Sequence, residues 1–335
     1  MFSRKLILVL CMLICSNVVF ARYSTDTLLL VTQDSIPTAD SIKKVSYWKH
    51  SFITSLTFNQ YSYTNWSAGG NNSIAGTVLF DGKVSYERET ITYINSLSLG
   101  YGKMLLAEVD APIRKTDDKL NYYSQLNYRL NKVLSYSLLV DLKSQFDYGY
   151  TYPNDSVYIS AFFAPAYLTI SWGVEIIPVK PLSIFASALS GKFTFVLNEE
   201  LANKGSFGVT PAVYDEFGVM INPGKKFRSE IGFNFVIKYN QTVAKRIDIS
   251  SKLELHNNYL DEKEANRWNF DIDWEGKFVF SITKHFSTNL FWRLVYDDDI
   301  KFPVYEEING VQVVVKNVPK VQFHESFGLG IKFKF

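Results

Sequence analysis

Cysteine is nearly absent. The 335 residues hold only Cys11 and Cys15, both inside the first 21 residues. A chain shortened there carries no thiol, which excludes disulfides, thiolate metal centres and cysteine nucleophiles. Net charge is nearly absent too, at +2. Loss of Arg4 and Lys5 would bring the bases level with the 33 acids, and so balanced a chain has no nucleic-acid footprint. Histidine occurs only at His50, His256, His285 and His324. Beyond residue 21 there is no run of about 20 apolar residues, the length a membrane-spanning helix needs.

The first residues, "MFSRKLILVLCMLICSNVVFA", have a basic start, a short apolar stretch from Leu6 to Ile14 and a cleavable end. They are read as a secretory signal peptide over 1–21, cut after Ala21. Leu10 and Ile14 precede the cysteines where a lipoprotein needs a small residue. Residues 22–46 show no sustained period and are read as a periplasmic lead-in.

Aromatic residues are abundant, with 26 Phe, 21 Tyr and 6 Trp. They recur at every second position. From Trp268 to Thr283, "WNFDIDWEGKFVFSIT", Trp268, Phe270, Ile272, Trp274, Phe278, Phe280 and Ile282 share one face. Asn269, Asp271, Asp273, Glu275 and Lys277 share the other. Period two is the signature of a strand. A strand this long suits a tilted membrane span better than a soluble sandwich, whose strands run to about 5–6 residues.

Twelve such segments are expected, at 50–63, 74–87, 90–102, 119–131, 134–147, 159–177, 182–197, 227–241, 246–259, 267–282, 286–297 and 321–335. Short connections near 88, 132, 178–181, 243–246 and 284–286 alternate with long ones near 64–73, 103–118, 148–158, 198–226, 260–266 and 298–320. The expected fold is all-β: a membrane-spanning, antiparallel, up-and-down β-barrel of about 12 strands over 47–335. Its even strand count puts both termini on the periplasmic side. The expected location is the bacterial outer membrane.

The last seven residues, "LGIKFKF", form an amphipathic strand ending in Phe333 and Phe335. This end resembles the C-terminal signal that outer-membrane assembly machinery reads. A longer segment, Leu142 to Val209, carries S-Q-F-x-x-G-Y, F-x-A-P-A-Y-L, S-x-x-x-G-K-x-T-F-V and L-A-N-K-G-S-F-G-V. Together with "NWSAGGNNS" at 65–73 it resembles a bacterial outer-membrane barrel family known only as a domain of unknown function. The resemblance extends over about 47–335. It implies an outer-membrane barrel and no substrate, cofactor or catalytic residue.

"NWSAGGNNS" lacks the helix and the Lys-Ser/Thr ending of a phosphate loop. It is read as the first outer hairpin loop, with Gly69 and Gly70 free to take positive φ, Asn71 as a turn former and Trp66 at the interface. By phase, the lumen holds Asp81, Glu87, Asp141, Glu175, Glu230, Asp248, Glu254, Asp271, Asp273 and Glu275. The facing bases are Lys83, Arg129, Lys143, Lys238, Lys252, Lys277, Arg293, Lys332 and Lys334. A selective pore shows an excess of one sign; this set is balanced, and implies ion pairs across the lumen. Asp271, Asp273 and Glu275 on one face suit either a hard cation or neutralisation by Arg293, and the ion pair is favoured.

Two further carboxylate groups, 296–300 ("YDDDI") and 261–264 ("DEKE"), fall at outer loop edges, as divalent-cation ligands shared with lipopolysaccharide or simply solvated. Loop 198–226 mixes apolar residues and glycine, as a loop folded over the mouth would. Two readings of function follow: a narrow pore or transporter for a small polar or amphipathic molecule, and a non-conducting scaffold, receptor or subunit of an outer-membrane complex. A membrane-embedded lipid hydrolase is the weakest, because no Ser–His arrangement emerges. No catalytic, cofactor or metal residue is expected. The partners expected are outer-membrane lipid and lipopolysaccharide, the barrel assembly machinery and possible outer-membrane proteins.

Overall fold

The computed structural model describes residues 46–61, 72–107, 113–261, 264–308 and 311–334. The leader over 1–21, the lead-in up to residue 45, and Trp66, Gly69, Gly70, Asn71 and Phe335 lie outside the described residues.

Alternating sequence becomes long strand. In chain order these are β1 (Trp48–Tyr61), β2 (Ser73–Arg88), β3 (Ile91–Leu106), β4 (Ile113–Arg129), β5 (Leu134–Ser144), β6 (Ala166–Val179), β7 (Leu182–Phe195), β8 (Phe227–Ala244), β9 (Ile247–Asn258), β10 (Phe270–Ser281), β11 (Phe286–Tyr296) and β12 (Gln322–Lys334). Each pairs antiparallel with the next, and β12 closes onto β1 through a register running from Ile53 opposite Lys334 to Phe58 opposite Leu329. A closed sheet leaves no edge, so the barrel strands hydrogen-bond to one another all the way round. That is the condition for a sheet to cross lipid.

The burial pattern is inverted relative to a soluble barrel. Among the described residues, buried polar or charged side chains outnumber buried apolar ones, 17 to 12. Large apolar residues such as Phe58, Trp172, Leu189, Phe327 and Leu329 are exposed on the outside. Cross-strand aromatic contacts knit that outer face: Phe52 stacks on Phe80 at 6.3 Å, Trp48 meets Tyr86 at 5.1 Å, and Trp274 meets Trp292 edge-on at 6.3 Å. An apolar exterior around a polar interior is the arrangement of a membrane-spanning barrel.

Short turns after β2, β4, β6, β8 and β10 make one rim, which also holds the start of β1 and the end of β12. Longer connections make the other. Three of these differ from expectation because they carry structure of their own. The 298–320 stretch is a hairpin of Lys301–Ile308 and Val311–Pro319. The expected strand 159–177 enters the barrel only at Ala166, because Tyr158–Ser160 pairs with Gly149–Tyr150. The 103–118 connection shortens to 107–112, since β3 and β4 continue outward as a projecting hairpin. Trp268 also leaves its expected strand. It ends a 3-10 turn, Glu264–Trp268, held by Asn257 Nδ2 donating to the carbonyls of Arg267 and Asn269 at 2.6 and 2.8 Å.

One irregularity redirects side chains into the lumen. Between Ser187 and Ser190, β7 spends three residues where β8 spends two, and it does the same against β6. The extra residue is a β-bulge, fastened by Ser187 Oγ, whose single hydrogen is shared between the carbonyls of Trp172 and Leu189, each 2.8 Å away. A bulge shifts the alternation by one. Before it Ser183 and Phe185 face the lumen; after it Ser190, Lys192 and Thr194 do.

Beyond β5, Asp147 anchors the loop to the sheet. It accepts a hydrogen bond from Tyr101 Oη at 2.6 Å, and that bond holds its carboxyl below the usual carboxylate range. A lowered folded value stabilises above the unfolded pKa of about 3.9 and is lost as the pH falls through the folded value. Acidification below about pH 4 is therefore expected to increase pepsin cleavage near Tyr148–Tyr152. Tyr101→Phe should loosen the same loop at neutral pH, as read by hydrogen exchange.

Candidate functional site: a charged, crossed lumen

Alternation aims the odd residues of β4, β5 and β10 and the even residues of β8 and β9 at the barrel interior, and there they meet across it. Lys143 on β5 bonds Glu254 on β9 and Asp273 on β10, each at 2.8 Å. Lys252 on β9 returns to Asp141 on β5 at 2.5 Å and lies 3.2 Å from Glu254. Arg293 grips Asp273 with two nitrogens, both at 2.9 Å. Such bidentate pairs are among the stronger charge-assisted contacts. Because β5 and β10 stand on separate arcs of the barrel, these bonds are spokes across the lumen.

Below the spokes, towards the short-turn rim, Lys238 donates to Tyr123 Oη, and Leu139, Phe185 and Val236 pack into a small apolar cluster with Tyr123. Asn127, Gln125 and Ser137 form a hydrogen-bonded layer that ends on Glu175 at 2.6 Å. At the long-loop end, Lys192 bonds Asp271 at 2.5 Å and lies 3.8 Å from Glu230 and 3.7 Å from Asp297. Arg228 joins Glu230 at 2.9 Å to Asp299 at 2.5 Å.

The residues read from the sequence separate into three groups. Asp273, Arg293, Lys252 and Glu254 sit together in the central network. Asp271 does not join them: Lys192, not Arg293, neutralises it. Glu275 faces Lys252 and Arg293 in register. Arg129 lies apart, at the short-turn rim, 3.7 Å from Glu87. Phe333 is exposed on the outer face beside His285, ring to ring at 6.0 Å. Among the described residues, no three His, Cys, Asp or Glu side chains converge as a ready metal site.

Lys192 and Arg228 are two bases of the lumen network that sequence reasoning passed over. Strict period two from Ser183 points Lys192 outward; only the bulge at 187–190 turns it in. Of the acids in "YDDDI", Asp297 and Asp299 are drawn into ion pairs and are not simply solvated. Loop 198–226 carries the short helix Glu199–Asn203, capped by Asn198 Oδ1 on Leu201 N at 3.0 Å. Leu201, Ala202 and Val209 bury themselves against Ala161, Ala164 and Val196. The loop's Gly208 lies against Arg228 and Asp299, so it reaches over the rim at the charged end.

A model of an uncharacterised family, described as a protein of unknown function (DUF3078), matches residues 58–150. That span takes in the "NWSAGGNNS" loop and the start of the Leu142–Val209 segment. No curated relative matches the sequence. Among solved structures, the chain is similar to an outer membrane channel from Pseudomonas putida F1, at 11% identity over 90% of this chain and 100% of that one, with a TM-score of 0.37. It is also similar to the NanC porin, at 11% identity over 85% and 100%, TM-score 0.33. The translocator domain of the autotransporter NalP from Neisseria meningitidis matches at 7% identity over 88% and 90%, TM-score 0.33. Likenesses this distant carry no argument about cargo, which has to be sought in this chain's own lumen.

Proposed function

We propose that the chain is an outer-membrane channel for small polar solutes, with its long loops outside and its short turns and termini in the periplasm. The observation that carries this reading is the lopsided filling of the lumen. The spokes between β5 and β10 are dry, with side chains 5–21% exposed. The opposite wall, from β11 through β12 and β1 to β3, is lined by Ser51, Ser55, Ser96, Ser98, Asn289 and Ser326, all part-exposed or exposed. The charge pair that reaches across this side, Lys277 to Asp81 at 3.7 Å, is 35% and 42% exposed. A wet, long pair of that kind is weak, so a solute can part it. The balanced lumen charge makes the passage weakly selective.

Purified protein in a planar bilayer is expected to conduct, and Lys277→Ala is expected to raise the unit conductance by removing the constriction. Silence from both proteins would defeat the channel reading. It would favour the second one, a non-conducting scaffold or receptor, which the dry spokes support. Under the channel reading the apolar belt meets outer-membrane lipid and lipopolysaccharide, and β12, which carries Phe333, is what the assembly machinery engages. The hydrolase reading gains no support. His256 and His324 face the lumen in register, away from the lipid an ester would come from.

A further inference from the structure

The chain's charge is balanced in number and unbalanced in place. Each of the five short turns has a base in it or beside it: Arg88 before Glu89, then Lys132, Lys180, the pair Lys245 and Arg246, and Lys284. All are exposed. Glu89 is the one acid in these turns, whereas the acidic stretches "DEKE" and "YDDDI" lie at the opposite rim. Among the described residues, Lys132, Lys180, Lys245, Arg246 and Lys284 have no ion-pair partner. Lys49, at the same rim, differs: it pairs with Glu87, which also lies 3.7 Å from Arg129. Unpaired bases leave the rim with a positive field. Aromatic residues mark its depth. Tyr128 and Tyr136, cross-strand partners on the outer face above the Lys132 turn, are both half exposed. Trp48 packs on Tyr86, and the Arg88 guanidinium lies 5.4 Å from the centre of the Tyr47 ring. Exposed Tyr and Trp at the end of a membrane barrel sit at headgroup level, so the bases just beyond them reach the phosphates.

We propose that the short-turn rim binds anionic phospholipid headgroups of the leaflet it faces, as a belt around the barrel. A soluble acidic protein would seat on one arc of the rim and leave the other turns bare. The bases instead recur after every second strand from β2 to β10, round the circumference. The partner that surrounds a barrel is its lipid. Lysine stems lie along the apolar layer while the ammonium stays among the headgroups. Each base near an anionic membrane surface strengthens association about fivefold. The belt needs only that the barrel crosses a bilayer, and stands whether or not the barrel conducts.

Electron spin resonance of the barrel in phosphatidylcholine vesicles tests this, with spin-labelled phosphatidylglycerol or phosphatidylcholine in both leaflets so that orientation has no effect. The motionally restricted fraction gives the association constant of each lipid with the barrel surface. Phosphatidylglycerol is expected to associate severalfold more strongly. Replacing the rim lysines together, Lys132→Gln, Lys180→Gln, Lys245→Gln and Lys284→Gln, should bring the ratio towards unity. The matched set at the opposite rim, Lys225→Gln, Lys226→Gln, Lys316→Gln and Lys320→Gln, should leave it unchanged. On the unaltered protein, salt at about 1 M, where screening acts over about 3 Å, should lower the ratio as well, and this decides the matter if the rim variant does not fold. Equal association of the two lipids would overturn the proposal. So would a ratio that neither salt nor the rim substitutions move, or one lost equally in the matched set.

Discussion

Replacing Lys143 by methionine is expected to lower the stability of the barrel by about 3 kcal/mol, the loss seen when one member of a buried ion pair is removed. The reason is the balance at the lumen centre. Lys143, Lys252 and Arg293 are ion-paired to Asp141, Glu254 and Asp273, three bases bonded to three acids, with Glu275 facing Lys252 and Arg293 besides. Methionine keeps the unbranched stem of the side chain and deletes the terminal ammonium. Glu254 is then left with Lys252 alone, and Asp273 with Arg293 alone, in a lumen segment from which water is largely excluded. The loss is read from urea unfolding in micelles, by the shift between the fast folded band and the slow unfolded band on unheated gels. A change within about 0.5 kcal/mol would show that the spokes are screened by water and contribute little.

Two controls separate charge balance from packing. Lys49→Met removes an ion pair of the same chemistry at the short-turn rim, where Lys49 and Glu87 are 71% and 50% exposed. Exposed pairs contribute about 0–1 kcal/mol, so this variant should unfold almost as the parent does. Adding Glu254→Gln to Lys143→Met removes the surplus charge, since Lys252 keeps Asp141 and Arg293 keeps Asp273, and the double variant should recover part of the loss. Recovery measures a coupling that two separate packing defects would not produce. If the channel reading holds, the same Lys143→Met variant should also conduct more, since it breaks both bonds that Lys143 makes across the barrel.

Most of the barrel was legible because lipid and water impose a strict period on it. A strand between the two must alternate, and the alternation at Trp274, Phe278 and Phe280 against Asp273, Glu275 and Lys277 survives unchanged in β10. The charged lumen was legible for the same reason, and Lys143, Lys252 and Arg293 face inward as the phase requires. Legibility ended where the period breaks or stops applying. The bulge in β7 shifts the phase by one residue, so Lys192 fell on the wrong face and Asp271 was assigned to Arg293. No local signal in "SALSGKF" announces a bulge beyond its small residues. Outside the lipid no face is imposed, which is why the Lys301–Pro319 hairpin was read as loop and why the pairing of Asp297 and Asp299 went unseen.

Gly173→Val is expected to abolish the folded barrel altogether. Gly173 lies on β6 directly against the bulge, and a Cβ built there runs into the carbonyl oxygen of Ala186 and the backbone of Ser187. The neighbour is backbone, so no rotamer change can relieve the clash. β6 and β7 must separate, or the bulge must be expelled. Separation opens an edge inside the membrane, where each unpaired N–H or C=O costs several kcal/mol. Expulsion restores strict period two, turning Lys192 out to the apolar face and stripping Asp271 of its base. Either route exceeds a typical total stability of about 5–15 kcal/mol once the effects add. The expected result is a chain that runs only as the slow, unfolded band. Gly76→Ala is the matched control: its added Cβ would meet nothing closer than Phe58 at 3.6 Å, and it should fold normally. If Gly173→Val did yield the fast band, the bulge could not be what brings Lys192 into the lumen.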